Sequence, residues 1–173
     1  MLFRSLEDVF PHIPFPADPA VFAEATRIGA EIRGLEAFTR EPAADFLPKN
    51  FCKLASEPDE ETIITDVGYN DGTLSLWKED GKPVTAFTGL PDFVWNFAVS
   101  GYRVLPRWIE GRKGLVAADV WEQLQDVAAR IAELIHWFDA ADLVLDATLG
   151  NTLTREELGF PVAAPEEADE SDD

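Results

Sequence analysis

The chain has 173 residues, 46% of them hydrophobic, with 12 Phe and 5 Trp, which is enough to bury a core and excludes global disorder. Its formal net charge is −19, the opposite of the basic surface with which a stand-alone nucleic-acid binder neutralises phosphates. The single cysteine, Cys52, excludes an internal disulfide and a cysteine-based zinc site.

The length suits one domain, expected over residues 1–160. Residues 161–173 are expected to form an acidic disordered tail, because Glu166–Asp173 carries six acids and no aliphatic side chain larger than Ala. Met1-Leu2-Phe3-Arg4 runs at once into charged residues, so no signal peptide is expected. No apolar run approaches the roughly 20 residues of a membrane helix. These features, with the lone cysteine, lead us to expect a cytoplasmic protein with no membrane contact.

In chain order, Leu6–Pro16 with prolines at 11, 14 and 16 should be extended. Asp18-Pro19 reads as a helix cap followed by proline at the first helical position. Val21, Phe22, Ala25, Ile28, Ile32 and Leu35 then recur at helical spacing, predicting an amphipathic helix over 19–38. Gly29 would weaken it slightly and allow close packing. Thr39–Glu61 reads as a long irregular connection.

Thr62–Val67, Thr73–Trp77 and Pro83–Thr88, separated by Asn70-Asp71-Gly72 and Glu79-Asp80-Gly81-Lys82, predict a three-stranded antiparallel meander. Pro91–Val99 reads as a short helix burying Phe93, Val94 and Phe97, and a helix from Tyr102 to about Glu110 should follow. Val120, Leu124, Val127, Ile131, Leu134, Ile135 and Phe138 line one stripe of a helix over 119–138, with Asp119 able to cap it. A further helix over Ala140–Leu149 should pack back on it. Thr154 and Glu157 have the spacing of a capping box. The class is α+β, mostly helical with a small antiparallel sheet.

Enzyme motifs are mostly missing from the sequence: it holds no GxxxxGK[ST] phosphate loop, no GxGxxG after a strand and no GxSxG elbow. His12 and His136 are the only histidines and neither has a partner ligand at metal-binding spacing; His136 is expected near a helix end, where a cation suits the dipole. Pro58-Asp59 with Asp80-Gly81-Lys82 imitates a metal-dependent nuclease motif, but the first acid lies in a loop and the second set fills a turn. Glu57, Asp59, Glu60 and Glu61 lack the spacing of a calcium loop and read as a solvated run. No catalytic residue, metal or cofactor is therefore expected.

Against this acidic background, Ser100–Gly114 (SGYRVLPRWIEGRKG) gathers Arg103, Arg107, Arg112 and Lys113 around Tyr102 and Trp108. Arginine offers phosphates and base edges a planar fork of donors, and aromatic rings stack on bases. The same pattern also describes a solvated helix that anchors its Trp in the core.

The run from Val94 to Gly114, VWNFAVSGYRVLPRWIEGRKG, resembles the C-terminal specificity region of type ISP restriction–modification enzymes. Those proteins show a GY-[QR]-VL-x-x-W-[LI]-x-x-R-x-G run followed by a long helix, and the early VFPHIPFP resembles their RIPFP entry, with His12 where Arg is common. The resemblance covers about Phe10 to Phe160. It implies a DNA target-recognition module of a larger phage-defence enzyme. That enzyme's nuclease, translocating ATPase and adenine methyltransferase would lie elsewhere, and double-stranded DNA and a methyltransferase domain or subunit would be the partners. Tyr102, Arg103, Arg107, Arg112, Lys113 and Asn70 become the DNA-contact candidates, or contacts to that methyltransferase. The acidity supports a second class, an acidic protein-interaction module or DNA mimic that occupies the groove of a DNA-binding partner.

Overall fold

In a computed structural model, the described residues are 13–43, 47, 50–55, 63–77, 81 and 83–160. Their contacts fall into two compact units, residues 28–140 and residues 13–27 with 141–160. Two helices run through both: α1 (Pro19–Glu36) and α4 (Ala117–Gly150).

In the smaller unit, Asp18 caps α1 by accepting the Ala20 amide at 2.8 Å, as its sequence implies. The chain entering α1 meets the chain leaving α4: Ala17 N–H donates to Asn151 O and Leu153 N–H to Phe15 O, with Pro16 bridging Thr152. The capping box forms, since Glu157 Oε2 accepts from Thr154 N at 2.8 Å and Thr154 Oγ1 accepts from Glu157 N at 3.2 Å. Phe22 is half exposed and stacks on Phe15 instead of entering a core, and the space beside Gly29 is open.

The larger unit holds a four-stranded antiparallel sheet, β1 (Lys53–Leu54), β2 (Asp66–Asn70), β3 (Thr73–Trp77) and β4 (Pro83–Thr88), in the order β1-β4-β3-β2. The expected meander is there, with its first strand shifted to 66–70 and a fourth strand added from the stretch read as irregular. That addition is only two residues pairing Lys53 with Thr88 and Leu54 with Phe87, too short for periodicity to register. The β2–β3 turn is Asp71-Gly72, both with positive φ (48° and 73°), the pairing that a two-residue hairpin requires. The second expected turn, around 78–82, lies mostly outside the described residues, as do Asp59, Asp80 and Lys82.

Alternation along the strands divides the sheet into two faces. Leu74, Leu76 and Phe87 point inward with Ile64 and Leu90 and are fully buried. They meet Val94 from α2 (Asp92–Trp95), Leu105 and Ile109 from α3 (Val104–Glu110), and Val120, Leu124, Val127, Ala128 and Ile131 from α4. The opposite face carries Gly68, Asn70, Thr73 and Ser75, with the Trp77 indole lying over Gly68. A Cβ at Gly68 would stand 2.2 Å from the far end of the Trp77 ring, so a larger residue there would displace the indole.

Three further expectations need correction. The 34-residue α4 does not break near Asp139, and no separate helix over 140–149 packs back. Phe138-Asp139-Ala140-Ala141 contains neither Gly nor Pro, and one Asp costs well under 1 kcal/mol against flanking alanines. His136 is therefore mid-helix and feels no helix-end dipole. Pro91–Val99 is helical only over Asp92–Trp95 and buries Val94 but not Phe93. The helix expected from Tyr102 begins at Val104, because Ala98–Val99 (β5) and Tyr102–Arg103 (β6) form a small hairpin first. Ser100-Gly101 turns it with φ of 50° and 83°.

A polar network ties the end of α1 and the following loop to the middle of α4. Glu133, 1% exposed, accepts from Arg40 Nη2 at 2.5 Å, Ala43 N at 2.7 Å and Trp137 Nε1 at 3.0 Å. Arg130, 5% exposed, donates to Arg40 O at 2.6 Å, Asp126 Oδ2 at 2.8 Å and Glu41 Oε2 at 3.1 Å, with its guanidinium over the Phe38 ring. Burial works to raise the Glu133 pKa, but the Arg40, Ala43 and Trp137 donors outweigh it and hold the carboxyl below the ordinary value. Replacing Glu133 by Ala leaves Arg40 with Glu31 as its remaining ion pair but removes the acceptor of the Ala43 and Trp137 donors, and should cost about 1–3 kcal/mol in denaturant unfolding. A carboxyl with a depressed folded-state pKa stabilises fully above its unfolded pKa and loses that contribution as pH falls through the folded value. The gap in stability between wild type and Glu133→Gln should therefore be full at neutral pH and narrow on acidification.

Candidate nucleic-acid interface

The basic strip lies wholly in the larger unit, and the fold sorts its residues into two groups. Arg112 and Lys113 are engaged within the chain. The Arg112 guanidinium lies 3.5 Å from the Trp108 ring centroid and donates to Trp108 O at 3.0 Å, while Trp108 packs on the core. Burial lowers the Arg112 pKa from the ordinary guanidinium value, yet an arginine stays charged at any working pH. Lys113 Nζ sits between Asp66 Oδ1 at 3.1 Å and Glu110 Oε1 at 3.0 Å. Bonds to Glu110 and Asp66 raise the Lys113 pKa, and the Val67 amide and Lys113 together lower that of Asp66. Backbone bonds close the same seam: Gly114 N–H donates to Ile64 O and Ile64 N–H to Leu115 O. Lys113 thus fastens the end of α3 to the start of β2.

Tyr102, Arg103 and Arg107 form the second group. The β5–β6 turn lifts Tyr102 out of the fold, 62% exposed, and Arg103 stands at the N-terminal boundary of α3. Arg107, one turn along, places its guanidinium 5.0 Å from the Tyr102 ring centroid. Both arginines are exposed, and among the described residues neither enters an ion pair.

These three side chains border an open cleft of about 480 Å³ that Val67, Trp95, Pro106 and Glu110 complete. Trp95 is a rigid wall, because its indole stacks on Tyr69 at 4.7 Å and 15°. Tyr69 in turn donates its phenol proton to Asp92 Oδ1 at 2.6 Å, with Leu90 O at 2.8 Å. Burial, then Asp92, pushes the Tyr69 pKa up to about 12, so the phenol keeps that proton. Asn70 is not part of this cleft; it lines a separate groove of about 380 Å³ on the outer sheet face with Gly68, Thr73, Ser75 and Trp77.

Sequence reading missed Val67 and Trp95. They lie on a strand and a helix outside the basic strip, and Trp95 reads from the sequence as a core or rim residue. Among the described residues no group of three or more His, Cys, Asp or Glu is placed to hold a metal, and no helix is long and apolar enough to cross a membrane.

The chain is a specificity domain of a restriction system, whose task is target recognition, and the family match carries this. In particular, the family model described as the Type ISP C-terminal specificity domain matches residues 4–135, and the chain belongs to that family. No curated protein and no solved structure matches it.

The two groups of basic residues should respond differently to truncation. Lys113→Ala should lower stability by no more than about 1 kcal/mol, since the pair is partly exposed, and that loss should shrink in high salt. Arg107→Ala should leave the melting temperature unchanged.

Proposed function

We propose that this chain reads the DNA target for a methyltransferase and nuclease located elsewhere in the same restriction enzyme, with residues 1–160 acting as one recognition domain. Membership of the specificity-domain family supports recognition as the task. The observation that carries the assignment to a site is the pairing of two exposed, unpaired arginines with an exposed tyrosine in one cleft of an acidic chain. Tyr102, Arg103 and Arg107 contact DNA, Arg112 and Lys113 brace the strip, and Asn70 contributes from the outer sheet face. With a net charge of −19, the module leans on a basic partner domain for affinity.

Selection of binding sites from a random duplex library, with wild type and the Arg103→Ala and Arg107→Ala variants, tests this. An arginine that reads a guanine should relax the selected motif at one position, at a cost of about 1–3 kcal/mol there. One that holds a phosphate should weaken all sequences alike and reduce the salt slope by about one. Unchanged motif, affinity and salt slope in both variants would sink the assignment. The acidity favours one rival reading, an acidic module that binds a basic protein; salt-sensitive binding to such a partner, without DNA affinity even at low salt, would establish it.

A further inference from the structure

Contacts to base edges in a groove need side chains that reach outward, and Arg103 and Arg107 suffice for that. They do not account for the recess behind them. The cleft of about 480 Å³ has apolar and aromatic walls, Val67, Trp95, Pro106 and Tyr102, and charged groups at Arg103, Arg107 and Glu110. Trp95 is stacked from behind by Tyr69, itself bonded to Asp92 and Leu90. Tyr102 has the Arg107 guanidinium over its ring and directly follows the two-residue Ser100-Gly101 hairpin turn. That turn keeps a largely exposed tyrosine at the mouth of a rigid aromatic recess.

A recess of that kind matches the chemistry of one nucleobase: flat π-faces to stack on, a carboxylate that accepts from an exocyclic amine, and guanidinium donors for the adjoining phosphate. We propose that the Val67–Trp95–Tyr102 cleft receives a single unstacked base of the bound DNA, with Arg103 and Arg107 on its flanking phosphate. The inference rests on the DNA-recognition reading and adds to it a ligand subsite that a paired duplex leaves empty.

Three duplexes of one sequence test it: fully paired, with one central unpaired adenine, and with an abasic residue at that bulge. Unpairing is already complete in the bulged duplex, so the chain should bind it at least about fivefold tighter than the paired one, the lower end of what stacking one base contributes. The abasic bulge should lose that gain. Tyr102→Ala should abolish the preference and Tyr102→Phe should keep it, while neither changes the melting temperature, because the ring lies outside the core. Equal binding of the adenine and abasic bulges, or a Tyr102→Ala loss that is the same on all three duplexes, would overturn the base subsite and leave target recognition standing. Failure to bind any of the three at low salt would remove both.

Discussion

The Arg40–Glu133–Arg130 network fixes where the chain goes after α1, and the larger unit depends on that choice. Helix α1 ends with Phe38 at φ 55°, a left-handed conformation that a bulky side chain adopts only when something holds it. Arg130 does so from α4, stacking on the Phe38 ring while donating to the carbonyls of Leu35 and Arg40. Glu133, three residues on, receives the Arg40 side chain and the Ala43 amide. A buried ion pair adds little net stability over well-packed apolar residues, because desolvation offsets the attraction. What this one adds is uniqueness. The backbone from 37 to 40 turns off α1 through its own bonds to the Arg33, Gly34 and Leu35 carbonyls, and donors and acceptors on α4 fix the path from Arg40 to Ala43. The same helix presents Val120, Leu124 and Ile131 to the sheet, so one element both positions the loop and closes the core.

How much of this could be read in the sequence depended on the range of the interactions. The Asp18 cap, the Asp71-Gly72 hairpin and the Thr154–Glu157 box each rest on contacts within about four residues, and each formed as spelled. Strand β1 is legible only through its partner β4, more than thirty residues later. The continuity of α4 was not legible past Phe138, where the apolar stripe ends, although helix propensity in an alanine-rich run carries through one aspartate. At the site, the sequence collected the basic residues but could not rank them. Only the fold shows that Lys113 faces Asp66, a residue of a distant strand, and that Arg112 covers its own turn's tryptophan. The cleft's back wall, Val67 and Trp95, was beyond reach for the same reason.

Family membership and charge bear on function from opposite sides. A specificity domain is the recognising part of a restriction system, yet this one is strongly acidic. The two are compatible if discrimination and affinity are separate tasks. Phosphate neutralisation supplies binding to any sequence, while a few placed side chains supply the difference between sequences. On the proposed assignment, two arginines and a tyrosine on an acidic body suit the second task and are poor at the first.

The glycine beneath Trp77 has a consequence for redesign. Because a side chain at 68 would meet the Trp77 indole, the shape of the outer sheet groove is set by backbone and indole in direct contact. The cleft around Tyr102 shares none of that groove's lining residues. A wedge introduced at 68 would therefore deform one recess without entering the other. Tyr69, however, lines the outer groove and backs Trp95 in the cleft, so the hairpin joins the two recesses through one ring.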